Sequence, residues 1–159
     1  MSKATLEQIK KLFDDENISY KHLTHDTIPR DSKGASLLRG TTHEHGAKAI
    51  VLQTKSGAFF QAVVPAHQRI SLKKLKKILG EKNVSLAHPQ EVLSLSDCVV
   101  GSVPPFGSLW NIRVFVDRSL LDIDQVIFSA GTLEDSILVS PQALVEINRA
   151  EVVDILKED

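Results

Sequence analysis

The sequence predicts an α+β protein in which helices surround a mixed, mostly antiparallel sheet, as a single compact domain over residues 1–159. Two observations indicate this class. Apolar runs of strand length outnumber helical segments and do not alternate with them as βαβ units would. The chain has 159 residues, 42% of them hydrophobic and 25% charged, which suits one globular domain with its own core. The sequence contains neither a long linker nor an internal repeat.

The first segment reads as an amphipathic helix. Thr5, followed three residues later by Gln8, fits a capping box at its start. A short strand over 19–23 and a second helix over 31–38 are predicted next. The apolar positions of the first helix, at helical spacing, are Leu6, Ile9, Leu12 and Phe13.

The clearest β signal is a hairpin. Two apolar runs, 47–54 and 58–64, are joined by Lys55-Ser56-Gly57, a short loop containing glycine. A helix from Ser71 to Gly80 and a short strand at 84–86 follow. The remaining predicted elements are a helix opening at His88-Pro89, a rigid loop at 101–107, strands at 113–116, 125–129 and 137–139, a helix from Ser140-Pro141 through Ile147, and a closing strand at 152–155.

The formal net charge of −1 argues against an extended grip on a nucleic-acid backbone, which needs a basic excess. Lysines at 73, 74, 76 and 77 form the outer face of one predicted helix. A solvated face is the favoured interpretation, and a phosphate-binding patch is the alternative. No run is apolar enough to span a bilayer, so no membrane partner is expected and the predicted compartment is the cytoplasm.

Lys48 lies at the entry of the first hairpin strand, on the same face as Ile50 and Leu52. A lysine on an apolar face is desolvated unless an anionic or hydrogen-bonding group meets it. By pattern alone, a strand-end lysine that extends its ammonium group to solvent is the favoured interpretation.

The loop Gly101–Gly107 brackets Pro104, Pro105 and Phe106 with two glycines. The glycines allow close backbone approach, and the prolines fix the chain and remove N–H donors. Such a loop could present its remaining N–H groups to a developing oxyanion. A rigid connecting turn is the alternative.

His43 and His45 are the candidate metal ligands, but no third ligand lies at a recognisable spacing from them. Motifs for zinc proteases, phosphate-binding loops and nucleophile elbows are absent from the sequence. Neither a metal nor a cofactor is therefore predicted. The single cysteine, Cys98, excludes an internal disulfide framework and is read as a buried thiol.

The chain resembles the YbaK family, also called the aminoacyl-tRNA synthetase-associated domain, which includes the insertion domain of bacterial prolyl-tRNA synthetase. The ordered motifs that carry the resemblance are Arg39-Gly40-Thr41, Gly46-Ala47-Lys48-Ala49-Ile50-Val51-Leu52, Val63-Val64-Pro65, the helix 72–79, Gly101-Ser102-Val103-Pro104-Pro105-Phe106-Gly107, Val116-Asp117-Arg118-Ser119-Leu120-Leu121, Ser129-Ala130-Gly131 and Leu138-Val139-Ser140-Pro141.

The resemblance implies a trans-acting deacylase that hydrolyses the ester of mischarged tRNA, with tRNA for proline carrying a small wrong amino acid as substrate. Its partners would be the acceptor end of aminoacyl-tRNA and, as a second candidate, an aminoacyl-tRNA synthetase. It implies a pocket between the hairpin and the glycine-proline loop. The implied catalytic residues are Lys48, Gly101 and Pro105, and the implied substrate-binding residues are Thr41, Phe106, Gly107, Ser129 and Gly131.

Two rival functions are considered. The same fold could serve as a non-catalytic module that binds an amino acid, a nucleotide or a synthetase. A metal-dependent hydrolase using His43 and His45 is the weaker rival. The chain also departs from the family pattern: Ala49 follows the lysine where many members have asparagine or threonine, and the segment 130–134 has no histidine.

Overall fold

A computed structural model describes residues 2–24 and 45–158 of the chain. The predicted helix at 31–38 lies outside these residues. The helices are α1 (Lys3–Asp15), α2 (Leu72–Leu79), α3 (Pro89–Ser96) and α4 (Gln142–Asn148), and the strands are β1 (Tyr20–Thr24), β2 (Ala47–Thr54), β3 (Phe59–Pro65), β4 (Val84–Leu86), β5 (Arg113–Asp117), β6 (Val126–Ser129), β7 (Asp135–Val139) and β8 (Glu151–Val153). Two 3₁₀-helices cover Gly107–Trp110 and Arg118–Asp122.

The described strands form two sheets. One has the order β4-β2-β3-β5-β8 and the other β1-β7-β6. The pairs β3–β5 and β5–β8 are parallel and the other pairs are antiparallel, which confirms the predicted mixed, mostly antiparallel α+β arrangement. The sequence patterns did not indicate the division into two sheets. A parallel bridge between Gly46 and Ile127 joins β2 to β6 and so connects the sheets.

Three apolar clusters form the described core. The largest lies against α1, α4 and the smaller sheet, with Phe13, Phe106 and Phe128 among its members. The second lies on the face of the larger sheet that α2 covers and includes Leu52, Phe60 and Leu75. The third contains Val51, Val92, Cys98 and Val103. Cys98 is 1% exposed, which confirms the buried-thiol interpretation.

Local capping chemistry sets both ends of α2 but not the start of α1. Ser71 caps α2 by accepting a hydrogen bond from the amide of Lys74 at 3.1 Å, and Gly80 ends the helix with a left-handed φ of 69°. The capping box predicted at Thr5 is wrong, because α1 begins at Lys3 and the buried Thr5 hydroxyl donates to the carbonyl of Ser96 instead. No helix within the described ranges is both long and apolar enough to cross a membrane.

Candidate active site

Lys48 is the second residue of β2 and pairs with Val64 of β3. Its side chain is half-buried and lies on the face covered by α2, because paired residues of antiparallel strands share a face. Burial of the ammonium group, and then the like charge of Arg69, lower the pKa of Lys48 below its ordinary value. No carboxylate in the described ranges forms an ion pair with it. Lys48 is therefore a partly desolvated cation without a described counter-charge.

The inner end of the glycine-proline loop, residues 104–107, is part of the core. The amide side chain of Gln61 donates to the carbonyl of Pro104 at 3.0 Å and accepts from the N–H of Gly107 at 2.8 Å. Asn148 Nδ2 donates to the carbonyl of Pro105 at 2.8 Å. Since these polar groups are buried, each bond satisfies an atom that would otherwise be costly to bury. The two amides therefore fix this end of the loop.

Phe106 and Gly107 both have evident packing roles. Phe106 is fully buried and makes edge-to-face contacts with Phe13 and Phe128, at centroid distances of 5.4 and 5.5 Å. A Cβ on Gly107 would lie 2.9 Å from Cγ1 of Ile112 and 3.0 Å from Cγ2 of Val114, so a larger residue would have to displace these two side chains. Contact of either residue with substrate stays a prediction.

The outer end of the loop is more accessible. Gly101 is exposed and has a φ of +96°, which favours glycine. The amides of Ser102, Phe106 and Gly107 have internal acceptors. The amides of Gly101 and Val103 have none among the described residues. Of the two residues, Gly101 is exposed, whereas Val103 is buried in the third apolar cluster.

Gly131 connects this outer end to β6. Its N–H donates to the carbonyl of Ser102 at 2.9 Å. Its φ is +99°, and a Cβ would lie 2.8 Å from the carbonyl oxygen of Ser2, so only glycine fits here.

A cavity of about 310 Å³ lies beside this contact, between the start of α1, the segment 97–102 and the turn 131–134. Lys48 does not line it.

The structure separates Lys48 from the inner end of the loop. Val51 pairs with Gln61, so Gln61 and the loop it holds lie on the opposite face of the sheet from Lys48. Ser129 is the last residue of β6, the strand that the Gly46–Ile127 bridge joins to the start of β2.

The described histidines do not form a metal site. The ring of His45 lies 3.2 Å from a carboxylate oxygen of Asp124. His43 and Thr41, both named in the sequence interpretation, lie outside the described residues. Within residues 2–24 and 45–158, no group of three His, Cys, Asp or Glu side chains could hold a metal ion.

Sequence reasoning missed several buried polar residues that support these elements. Gln61 was the easiest of them to recognise from the sequence, because it is a lone amide inside an apolar strand. Asp135 is buried and accepts hydrogen bonds at 2.7 Å from Lys3 and 2.6 Å from Thr132, while His22 lies 2.7 Å from its other oxygen. Its charge thus ties α1, β1 and the 131–134 turn together.

The family of the chain is shown by comparison with known proteins. The model of the aminoacyl-tRNA editing domain matches residues 30–147. The chain belongs to this family.

Three similar proteins are informative. A multifunctional Ser/Thr-tRNA deacylase, ProXp-y, of Escherichia coli K12 is 30% identical over 154 residues, which cover 94% of this chain and 92% of that protein. A proline–tRNA ligase of Staphylococcus epidermidis is 32% identical over 79 residues, covering 50% of this chain and 13% of the ligase. A solved hypothetical protein superposes with a TM-score of 0.86 at 27% identity, covering 94% of this chain and 99% of that one.

Proposed function

We propose that the chain is a trans-acting aminoacyl-tRNA deacylase that hydrolyses the ester of mischarged tRNA, with tRNA for proline carrying a small wrong amino acid as the substrate. The observation that carries the proposal is Lys48, a half-buried cation without a described counter-charge in a chain of the editing family. The similar E. coli protein is named for Ser/Thr-tRNA deacylation, and the partial match to a proline–tRNA ligase supports the choice of tRNA.

The reaction is a direct attack by water. The water oxygen bonds to the ester carbonyl carbon, and the carbonyl oxygen becomes an oxyanion. The tetrahedral intermediate then collapses, the bond to the ribose oxygen breaks, and the proton given up by the water is passed to that leaving oxygen, directly or through the neighbouring ribose hydroxyl. The products are the free amino acid and intact tRNA. An aminoacyl ester is already activated, so positioning and charge stabilisation suffice without a covalent nucleophile.

The residues divide these tasks. The Lys48 ammonium group binds a phosphate or the ester carbonyl of the substrate and stabilises the oxyanion. The N–H group of Gly101, which lacks a described acceptor, supplies a further donor. Pro105 fixes the loop backbone through Asn148. Ser129, with Thr41, contributes a polar wall.

The test is a panel of tRNAs mischarged with small amino acids. Lys48→Ala should lower kcat/KM about 10²- to 10³-fold, as loss of one oxyanion donor does. Lys55→Ala is the matched control, because Lys55 is an exposed lysine of the same hairpin, and it should retain wild-type rates. Equal hydrolysis by wild type and Lys48→Ala would remove Lys48 from the mechanism. Tight binding of substrate analogues with no hydrolysis by the wild type would favour the non-catalytic binding module.

The proposal extends to partners and location. The acceptor end of aminoacyl-tRNA is the substrate, residues 1–159 act as one editing domain, and the cytoplasm, the compartment of translation, is the place of action. A synthetase is the second proposed partner. Deacylation rates measured with and without prolyl-tRNA synthetase test its contribution.

A further inference from the structure

A cavity of about 310 Å³ adjoins the outer end of the glycine-proline loop, and its volume is at the lower end of the range for small-molecule sites. Hydrogen bonds between the segments that form it hold its walls in place. The N–H of Gly131 donates to the carbonyl of Ser102 at 2.9 Å. The carboxylate of Asp135 accepts from Lys3 at 2.7 Å and from Thr132 at 2.6 Å. The cavity is therefore preformed.

The cavity combines aliphatic side chains with carboxylates. Val99 and Leu133 line it, and so do Asp97 and Glu134, both of which are exposed. Leu133 is 44% exposed, and Val100, the neighbour of Val99 in the chain, is 60% exposed. Aliphatic surface that the fold leaves in water at the edge of a cavity is available to a ligand.

This lining favours one part of an aminoacyl-tRNA end over the others. The ammonium group of Lys3 also lines the cavity, but its charge is matched by that of Asp135. The carboxylates of Asp97 and Glu134 would therefore repel a phosphate group. A small amino acid would leave much of the volume empty. A flat base fits, because its faces pack against apolar side chains and an exocyclic amino group donates to a carboxylate.

Gly101 brings the cavity next to the proposed chemistry. A Cβ built on Gly101 would lie 3.7 Å from Cδ2 of Leu133. The residue whose N–H is proposed to bind the ester carbonyl thus lies against the cavity wall. In aminoacyl-tRNA the ester and the base are attached to the same ribose. A base in the cavity would therefore leave the ester within one sugar ring of Gly101.

We propose that this cavity is the subsite for the base of the 3′-terminal nucleotide, the adenosine with which tRNA ends. Leu133 packs against one face of the adenine ring, and the carboxylate of Glu134 accepts a hydrogen bond from the exocyclic amino group. The inference rests on the proposed deacylase function and deepens it, because it locates the nucleotide that carries the ester.

The first test shortens the side chain that packs against the base. Leu133→Ala should raise KM for mischarged tRNA about 3- to 10-fold at unchanged kcat, as expected when the exposed 44% of a leucine is removed from water on binding. Leu93→Ala is the matched control, since Leu93 is 38% exposed on α3 and does not line the cavity. It should retain wild-type kinetics. An unchanged KM for Leu133→Ala would overturn the proposal.

The second test changes the base. Inosine has a carbonyl oxygen in place of the exocyclic amino group of adenosine, so it cannot donate to Glu134. With the same amino acid, kcat/KM for the adenosine ester should exceed that for the inosine ester about 2- to 13-fold, the range for one typical hydrogen bond. Glu134→Ala should abolish this preference by slowing hydrolysis of the adenosine ester. A wild type without the preference, or a variant that keeps it, would contradict the assignment.

Failure of the proposed function is distinguishable from failure of this inference. If the wild type hydrolyses no ester, NMR with adenosine as the probe still tests the cavity. Adenosine should shift the backbone amide signals of the segments 97–102 and 131–134, and Leu133→Ala should need a higher concentration for the same shifts. Shifts confined to other segments would refute the subsite even in an active deacylase. Shifts of these signals by free alanine and not by adenosine would assign the cavity to the aminoacyl group instead.

Discussion

At the scale of single residues, Lys48 has an environment that favours its neutral form. Burial removes water from its ammonium group and Arg69 adds a like charge, so both lower its pKa. A lysine that served only the fold would be more stable with an acidic neighbour. The opposite arrangement leaves the cation without a described counter-charge, as the role proposed for Lys48 requires.

This environment predicts how Lys48 titrates. In the wild type its ammonium group should lose its proton at a lower pH than an ordinary lysine does. Arg69→Gln removes the like charge, so the pKa of Lys48 should move up towards its ordinary value. NMR titration of the Lys48 side-chain signal in the two proteins measures the change. A Lys48 pKa unchanged by Arg69→Gln would show that burial alone causes the shift.

At the scale of elements, Asp135 links three segments that meet beside Gly131. Desolvation of the buried carboxyl would raise its pKa, but hydrogen bonds from Lys3, Thr132 and His22 outweigh this and hold the pKa well below its ordinary value. A carboxyl with a lowered folded-state pKa stabilises the fold above its unfolded pKa of about 3.9. That stability is lost as the pH falls from there towards the folded-state pKa.

Asp135→Asn should therefore lower the free energy of unfolding at pH 7 by about 1.5 to 3 kcal/mol, the range for hydrogen bonds to a charged group. The difference from the wild type should shrink as the pH falls below about 4. Urea unfolding at pH 7 and pH 3 measures it. Glu134→Gln, at an exposed neighbouring carboxyl, should change stability little at either pH. A difference that persists undiminished at pH 3 would contradict a role for the charge.

The elements themselves were largely predictable. Hydrophobic periodicity and capping rules predict features that depend on residues close together in sequence. These features are the β2–β3 hairpin, the caps at Ser71 and Gly80, and the helix start at Pro89. The error at Thr5 has a non-local cause: its hydroxyl bonds Ser96, ninety-one residues away in the chain. Capping patterns contain no information about such a partner.

At the scale of the whole molecule, the candidate site was predictable only in part. The resemblance named Lys48 and the glycine-proline loop, but the motifs could not show that Gln61 holds the inner end of that loop on the opposite face from Lys48. Which side chains share a face depends on how the strands pair. β2 pairs with β3 and β4, and one bridge joins its start to β6.

The charge distribution of the whole molecule predicts a weak dependence on salt. The net charge is −1, and Lys74 on α2 is already paired with Asp154 and Glu158 at 3.4 and 3.3 Å. This favours a solvated helix face, and among the described residues it leaves Lys48 and Arg69 as the cations proposed to contact the tRNA. Two phosphate contacts give a slope of log kcat/KM against log salt between about −1.4 and −1.8.

The charge variants separate the two surfaces. Arg69→Gln should reduce the magnitude of the slope by about 0.7 to 0.9, the contribution of one phosphate contact. The double variant Lys73→Gln/Lys77→Gln should leave it unchanged, because those lysines would then face only solvent. A wild-type slope near −4 that the double variant reduces would instead assign the α2 lysines to the tRNA backbone. The same kinetic measurements thus decide whether the protein binds only the acceptor end or a longer stretch of the tRNA.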